Sequence, residues 1–146
     1  MGVTFAFFVF MQSDVLTIGR QIVEIGFGKS DLSIIDKSIA DDFIEHQFGM
    51  TGGKEGLKKI IQNLHNAFPD INYQTINYSI NNNIVWYQFL CMGTHTGAFM
   101  GYASTGKKFT TDVIDIMRFS NGKMIEHWGS PDRFALLVQL GMWPPK

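Results

Sequence analysis

The sequence predicts an α+β fold, in which N-terminal helices are followed by a curved antiparallel sheet. Three observations predict it. The first half carries apolar residues at helical spacing, and the second half is a series of strand-like runs separated by Asn, Gly and Ser. No repeat, charge block or proline-rich linker divides the two. In that order the helices cover one face of a strongly curved sheet. At 146 residues the chain (1–146) fits one domain, long enough for a substantial core and too short for two ordinary ones.

Residues 1–12 are read as an N-terminal extension. The apolar run at 3–11 has no Lys or Arg before it and no small-x-small cleavage pattern after it, and it is far shorter than the roughly 20 residues that span a bilayer. An added strand, a helix extension and a start site upstream of the domain all fit. From Ser13, a plausible N-cap, Val15, Ile18, Ile22 and Ile25 keep helical spacing, and Gly26 and Gly28 mark the expected stop. A short second helix follows, capped by Ser30 or Asp31 and lined by Leu32, Ile35 and Ile39, with Asp41-Asp42 leading into a turn.

After a glycine loop, Leu57, Ile60, Ile61, Leu64 and Phe68 mark an amphipathic helix ended by Pro69. His65 falls beside its crowded polar side, as a surface residue. Four strands are then expected within 71–80, 82–95, 107–119 and 123–129. A short helix in SPDRFALLVQLG closes the chain, with Asp132 as its cap.

Composition narrows the function. A net charge of -1 gives no electrostatic reason to expect nucleic acid or an anionic membrane as partner. A single cysteine, Cys91, excludes an intramolecular disulfide and a CxxC site and makes a reducing cytoplasm the default location. Its apolar neighbours suggest a packing thiol. Four histidines without HxH, HxxxH or HExxH spacing offer no preformed metal site.

The most informative stretch is IDIMRFSNGKMIEHWG, where two apolar runs carry an acid and an imidazole. A three-residue loop, Ser120-Asn121-Gly122, would set Met117 opposite Ile125 and Asp115 opposite His127, all on one face with Val113. A two-residue loop would pair Asp115 with Trp128 and turn His127 outward. On the first register a buried carboxylate meets an imidazole, which offsets the cost of burial and can hold a neutral tautomer for proton transfer near pH 7. A structural ion pair is the other reading.

GTHTGAFMGYASTGKKF, DIMRFSNGKMIEHWGSPD and LLVQLG, together with EHQFGMTGGKEGLKKII and NLHNAFPD, resemble the SnoaL-like polyketide cyclases over about 13–141. The resemblance implies a cone-shaped α+β barrel with a mostly apolar central pocket, shared with ketosteroid isomerase, scytalone dehydratase and nuclear transport factor two. It also implies cofactor-free chemistry in which an aspartate serves as acid and base. That aspartate lies two positions after the histidine of the last strand, where this chain has Gly129. A second pocket position, commonly histidine in the family, matches Asp115, and His46 matches a position often held by histidine.

The expected catalytic residues are therefore Asp115 to take a proton alpha to a carbonyl, His127 to orient it or return the proton, and His46 to hydrogen-bond the enolate. Phe48, Met50, Phe89, Val113, Met117, Ile125 and Trp128 are the expected wall of a site for a small apolar, polyketide-like molecule. No cofactor or metal is expected. Cyclisation, isomerisation and dehydration all fit such a site. His95 reads either as a pocket ligand or as a residue ordering the loop after it. The alternative function is a non-catalytic hydrophobic ligand-binding or dimerisation domain. The second apolar face of the sheet, with Ile84, Trp86, Leu90 and Met92, calls for another covering and leads to the expectation of a homodimer.

Overall fold

The computed structural model describes residues 14–144. The apolar stretch at 3–11 and the proposed cap Ser13 lie outside them. Helix α1 occupies residues 14–29 and contains a π-helical segment, Ile22–Phe27. The wider turn takes in an extra residue and shifts the buried stripe. Val15, Ile22, Val23 and Gly26 are buried, whereas Ile25, expected inside, is 37% exposed. Gly26 and Gly28 do not stop this helix. A Cβ on Gly26 would lie 2.9 Å from Ile35 Cδ1, so the glycine serves close packing on the next helix.

Helix α2, Leu32–Ser38, is capped by Asp31, whose side chain accepts from the Ser33 N–H at 3.0 Å. It gives way directly to strand β1, Ile39–Glu45, where the sequence suggested a turn at Asp41-Asp42. Those aspartates are exposed, and the pairing of β1 is irregular between Ile39 and Ile44, so this edge strand lacks a clean alternation. Helix α3, Gly53–Ala67, buries Leu57 and Ile61 as its spacing requires.

Strands β2 (Asn72–Asn81), β3 (Ile84–Thr94), β4 (Lys108–Ser120) and β5 (Lys123–Pro131) follow, and α4, Arg133–Leu140, starts at Asp132, whose carboxylate accepts from the Ala135 N–H. The sheet order is β1-β5-β4-β3-β2. The last four strands pair antiparallel, as expected, but β1 lies parallel to β5, which makes this curved, unclosed sheet mixed.

Alternation sorts β3 cleanly. Val85, Tyr87, Phe89 and Cys91 are buried against the helices, while Ile84, Trp86, Leu90 and Met92 occupy the outer face and are partly or fully exposed. The Tyr87 hydroxyl donates to the Leu16 carbonyl at 2.7 Å and pins α1 on the inner face. Among the described residues no helix is long and apolar enough to cross a membrane.

The β4–β5 hairpin turns on two residues. Ser120 pairs with Lys123, and Asn121 and Gly122 both have positive φ, 50° and 73°, as a tight hairpin turn demands. This overturns the three-residue loop. The two-residue alternative would have turned His127 outward, but a bulge intervenes: Phe119 pairs with Met124 and Arg118 with Glu126, leaving Ile125 as an extra residue. The bulge restores the parity that the shorter loop had changed. Asp115 therefore lies opposite Gly129, with His127 two residues away on the same face.

Candidate active site

Between the inner face of the sheet and the helices lies a cavity of about 420 Å³. Ile22, Val23 and Phe27 of α1, Leu57, Ile60 and Leu64 of α3, and Leu136 and Leu137 of α4 form much of its wall. The sheet adds Tyr73, Cys91, Phe109, Thr111, Val113, Asp115, Met117, Met124 and His127. Its size suits a small organic ligand, and most of its lining is apolar.

Into that wall the fold sets Asp115 and His127, and against His127 it buries a third ionisable group, Glu45. Asp115 Oδ1 lies 3.1 Å from His127 Nε2. On the other side of the ring, His127 Nδ1 lies 2.9 Å from each oxygen of Glu45. All three side chains are buried, 8% exposed for Asp115, 9% for His127 and 5% for Glu45. Glu45 arrives through the parallel pairing of β1 with β5, which sets it beside His127. Its Oε1 also accepts the backbone N–H of Gln47 at 2.8 Å.

Burial by itself lowers the pKa of His127, but hydrogen bonds and charge from Asp115 and Glu45 outweigh it and raise the pKa from 6.5 to about 10. At neutral pH the ring is therefore an imidazolium donating to two carboxylates. The expected neutral tautomer is corrected, because the sequence reading supplied one carboxylate and the fold supplies two.

Of the expected wall residues, Met50, Val113 and Met117 line the cavity. Phe89 is fully buried and stacked on Tyr87, within the core but outside the cavity lining. Ile125, expected inside, is the bulge residue, half-buried and away from the cavity; Met124 lines it instead. Trp128 follows the inward-facing His127 and therefore takes the outer face. Phe48 sits in the turn after β1, 87% exposed.

His46 is likewise placed outside the cavity. Its ring stacks on Trp128 with centroids 4.4 Å apart, and Nε2 lies 3.1 Å from Glu126 Oε2. The structure turns the residue before it, Glu45, inward instead, against His127. No strand was expected there, so nothing in the sequence fixed which of the two pointed inward; the signal was a second Glu-His pair matching Glu126-His127.

The remaining candidates have structural surroundings. His95 Nδ1 accepts the Thr105 N–H at 3.2 Å and lies 3.0 Å from its hydroxyl, across the loop between β3 and β4. The half-buried His65 donates from Nε2 to the Phe27 carbonyl at 2.7 Å, tying α3 to α1. Cys91 lines the cavity as a thiol, its pKa pushed up to about 12 by burial. At Gly129, a Cβ would overlap the side-chain oxygen of Gln47, another cavity-lining residue.

Comparison with known proteins agrees with this architecture. Residues 17–140 match the SnoaL-like polyketide cyclase family. The aklanonic acid methyl ester cyclase DauD of Streptomyces sp. (strain C5) is 26% identical over 139 residues, 92% of this chain and 86% of its own. DnrD of Streptomyces peucetius, a cyclase of the same description, is 30% identical over 94 residues, covering 63% of this chain and 65% of its own. Among solved structures, AclR from Streptomyces galilaeus superposes with a TM-score of 0.80 at 26% identity, over 90% of this chain and 98% of that one. IdmH from Streptomyces antibioticus gives a TM-score of 0.76 at 27% identity, over 88% and 97%. With the cavity, the curved sheet and a match spanning most of its length, the chain belongs to the SnoaL-like polyketide cyclase family.

Proposed function

We propose that this protein is a cofactor-independent enzyme that removes a proton alpha to a carbonyl of a small, mostly apolar, polyketide-like ketone. One observation carries the reading: Asp115 and His127 sit paired on the wall of a mostly apolar cavity, with the buried Glu45 held against the far side of the His127 ring. Asp115 Oδ1 is engaged by His127, whereas Oδ2 has no hydrogen-bond partner among the described residues. That oxygen is the acceptor. Two carboxylates and one imidazolium carry one net negative charge, so a proton taken by Asp115 leaves the buried cluster neutral. Glu45 holds the ring, and the ring holds Asp115.

In this scheme the C–H bond breaks as the Asp115 O–H bond forms, leaving an enolate. Attack of the enolate carbon on a second carbonyl of the same molecule closes a ring, and Asp115 returns its proton to the new alkoxide. No oxidant or reductant is required. The names of the relatives, cyclases of a polyketide ester, support ring closure over isomerisation or dehydration.

The test uses β-tetralone, a compact apolar ketone with acidic alpha protons, in deuterium oxide. Wild-type protein should accelerate alpha-proton exchange followed by proton NMR, and Asp115→Asn should lower that acceleration by about 10²–10⁴-fold with the fold intact. Equal exchange in the two proteins would leave only the ligand-binding role.

A further inference from the structure

Asp115 can take a proton, but the oxygen of the resulting enolate also needs a partner, because an anion forming in an apolar cavity is costly unless a donor is already in place. His127 is committed at both nitrogens. Among the uncharged polar side chains of the lining, the Tyr73 hydroxyl is engaged with the Cys91 thiol, whereas Gln47 and Thr111 make no side-chain hydrogen bond among the described residues. Thr111 lies four residues before Asp115 on β4, about 13 Å along the strand. Gln47 is far better placed.

Its carboxamide lies over Gly129, the residue paired opposite Asp115. Paired positions in an antiparallel sheet are about 5 Å apart between Cα atoms. A Cβ at Gly129 would overlap Gln47 Oε1 and come 2.9 Å from His127 Cε1, so the missing side chain is what lets the carboxamide settle beside the ion-pair line. Its backbone is fixed too, because the Gln47 N–H donates to Glu45 Oε1.

We infer that Gln47 is a substrate-binding group whose side-chain N–H donates to the carbonyl oxygen of the ketone and to the enolate oxygen that replaces it. This rests on the proton-abstraction reading above. A neutral amide suits this role, because it stabilises negative charge on oxygen without adding charge beside Asp115 and Glu45 and without competing for the proton. It also narrows the ligand to one whose reacting carbonyl comes between Gln47 and Asp115 while the remainder meets apolar wall.

The variant Gln47→Met keeps length and removes the donor, with Gln47→Ala as a second variant should the first pack badly. In carbon NMR of carbonyl-labelled β-tetralone bound to the protein, the carbonyl signal should lie downfield in wild type and move upfield in both variants. Affinity should fall about three- to tenfold, the net worth of one hydrogen bond, and alpha-proton exchange should fall about 10²-fold. Asp115→Asn should keep the downfield signal while losing exchange. An unchanged signal in the Gln47 variants, or no downfield signal in wild type, overturns the assignment to Gln47 whatever exchange does. A Gln47-dependent signal with exchange indifferent to Asp115 would instead uphold Gln47 and overturn the general base.

Discussion

Two Glu-His pairs, Glu45-His46 and Glu126-His127, lie side by side where β1 meets β5, and each histidine binds the glutamate of the other pair. On the inner face His127 meets Glu45; on the outer face His46 meets Glu126. The chemistry is the same and the surroundings differ. The inner side chains are 9% and 5% exposed and adjoin Asp115, whereas the outer ones are 35% and 24% exposed beside Arg118 and Trp128. Water screens an outer pair until it is worth about 0–1 kcal/mol, while an inner pair cannot lose one member without stranding the other.

The comparison can be broken by substitution. Replacing His127 by Leu leaves Asp115 and Glu45 buried without their cation, and urea unfolding at pH 7 should register a loss of about 3–5 kcal/mol. A loss below about 1 kcal/mol would mean that the inner pair behaves like a surface pair.

Thermal unfolding against pH sharpens the contrast. The folded pKa of His127 is raised from 6.5 to about 10, so the stability due to its charge is fully present below pH 6.5 and is lost as pH rises toward 10. The melting temperature of wild type should fall across that window, and His127→Gln should remove that component of the slope. An identical slope in the variant would place the alkaline loss elsewhere. The smallest effect is expected outside: His46→Ala should cost about 1 kcal/mol or less, with alpha-proton exchange unaltered. A cost matching that of His127→Leu would end the distinction between the faces.

Much of this was legible from the residues. The spacing of Leu57, Ile61 and Leu64 defines α3, the turn cluster at Ser120-Asn121-Gly122 locates the hairpin, and the family resemblance gives the helix-backed curved sheet. Asp115 and His127 were expected on one face and are there, through a different register from the one proposed. What sequence could not supply depends on tertiary pairing. β1 is an edge strand with irregular pairing and two adjacent aspartates, which read as a turn, and with the strand hidden the inward direction of Glu45 was hidden too. The place of Gln47 over Gly129 joins residues 82 positions apart and has no local signature.

The bulge at Ile125 has an evolutionary corollary. Along a strand every side chain answers to a parity, and this single surplus residue decides which way Glu126 and His127 look. A descendant chain lacking it could keep each ionisable amino acid and still present the glutamate inward and the imidazole to the exterior. In this segment the count of residues between turn and histidine is thus inherited information as surely as their identity, and drift in length is a more abrupt threat to the site than drift in composition.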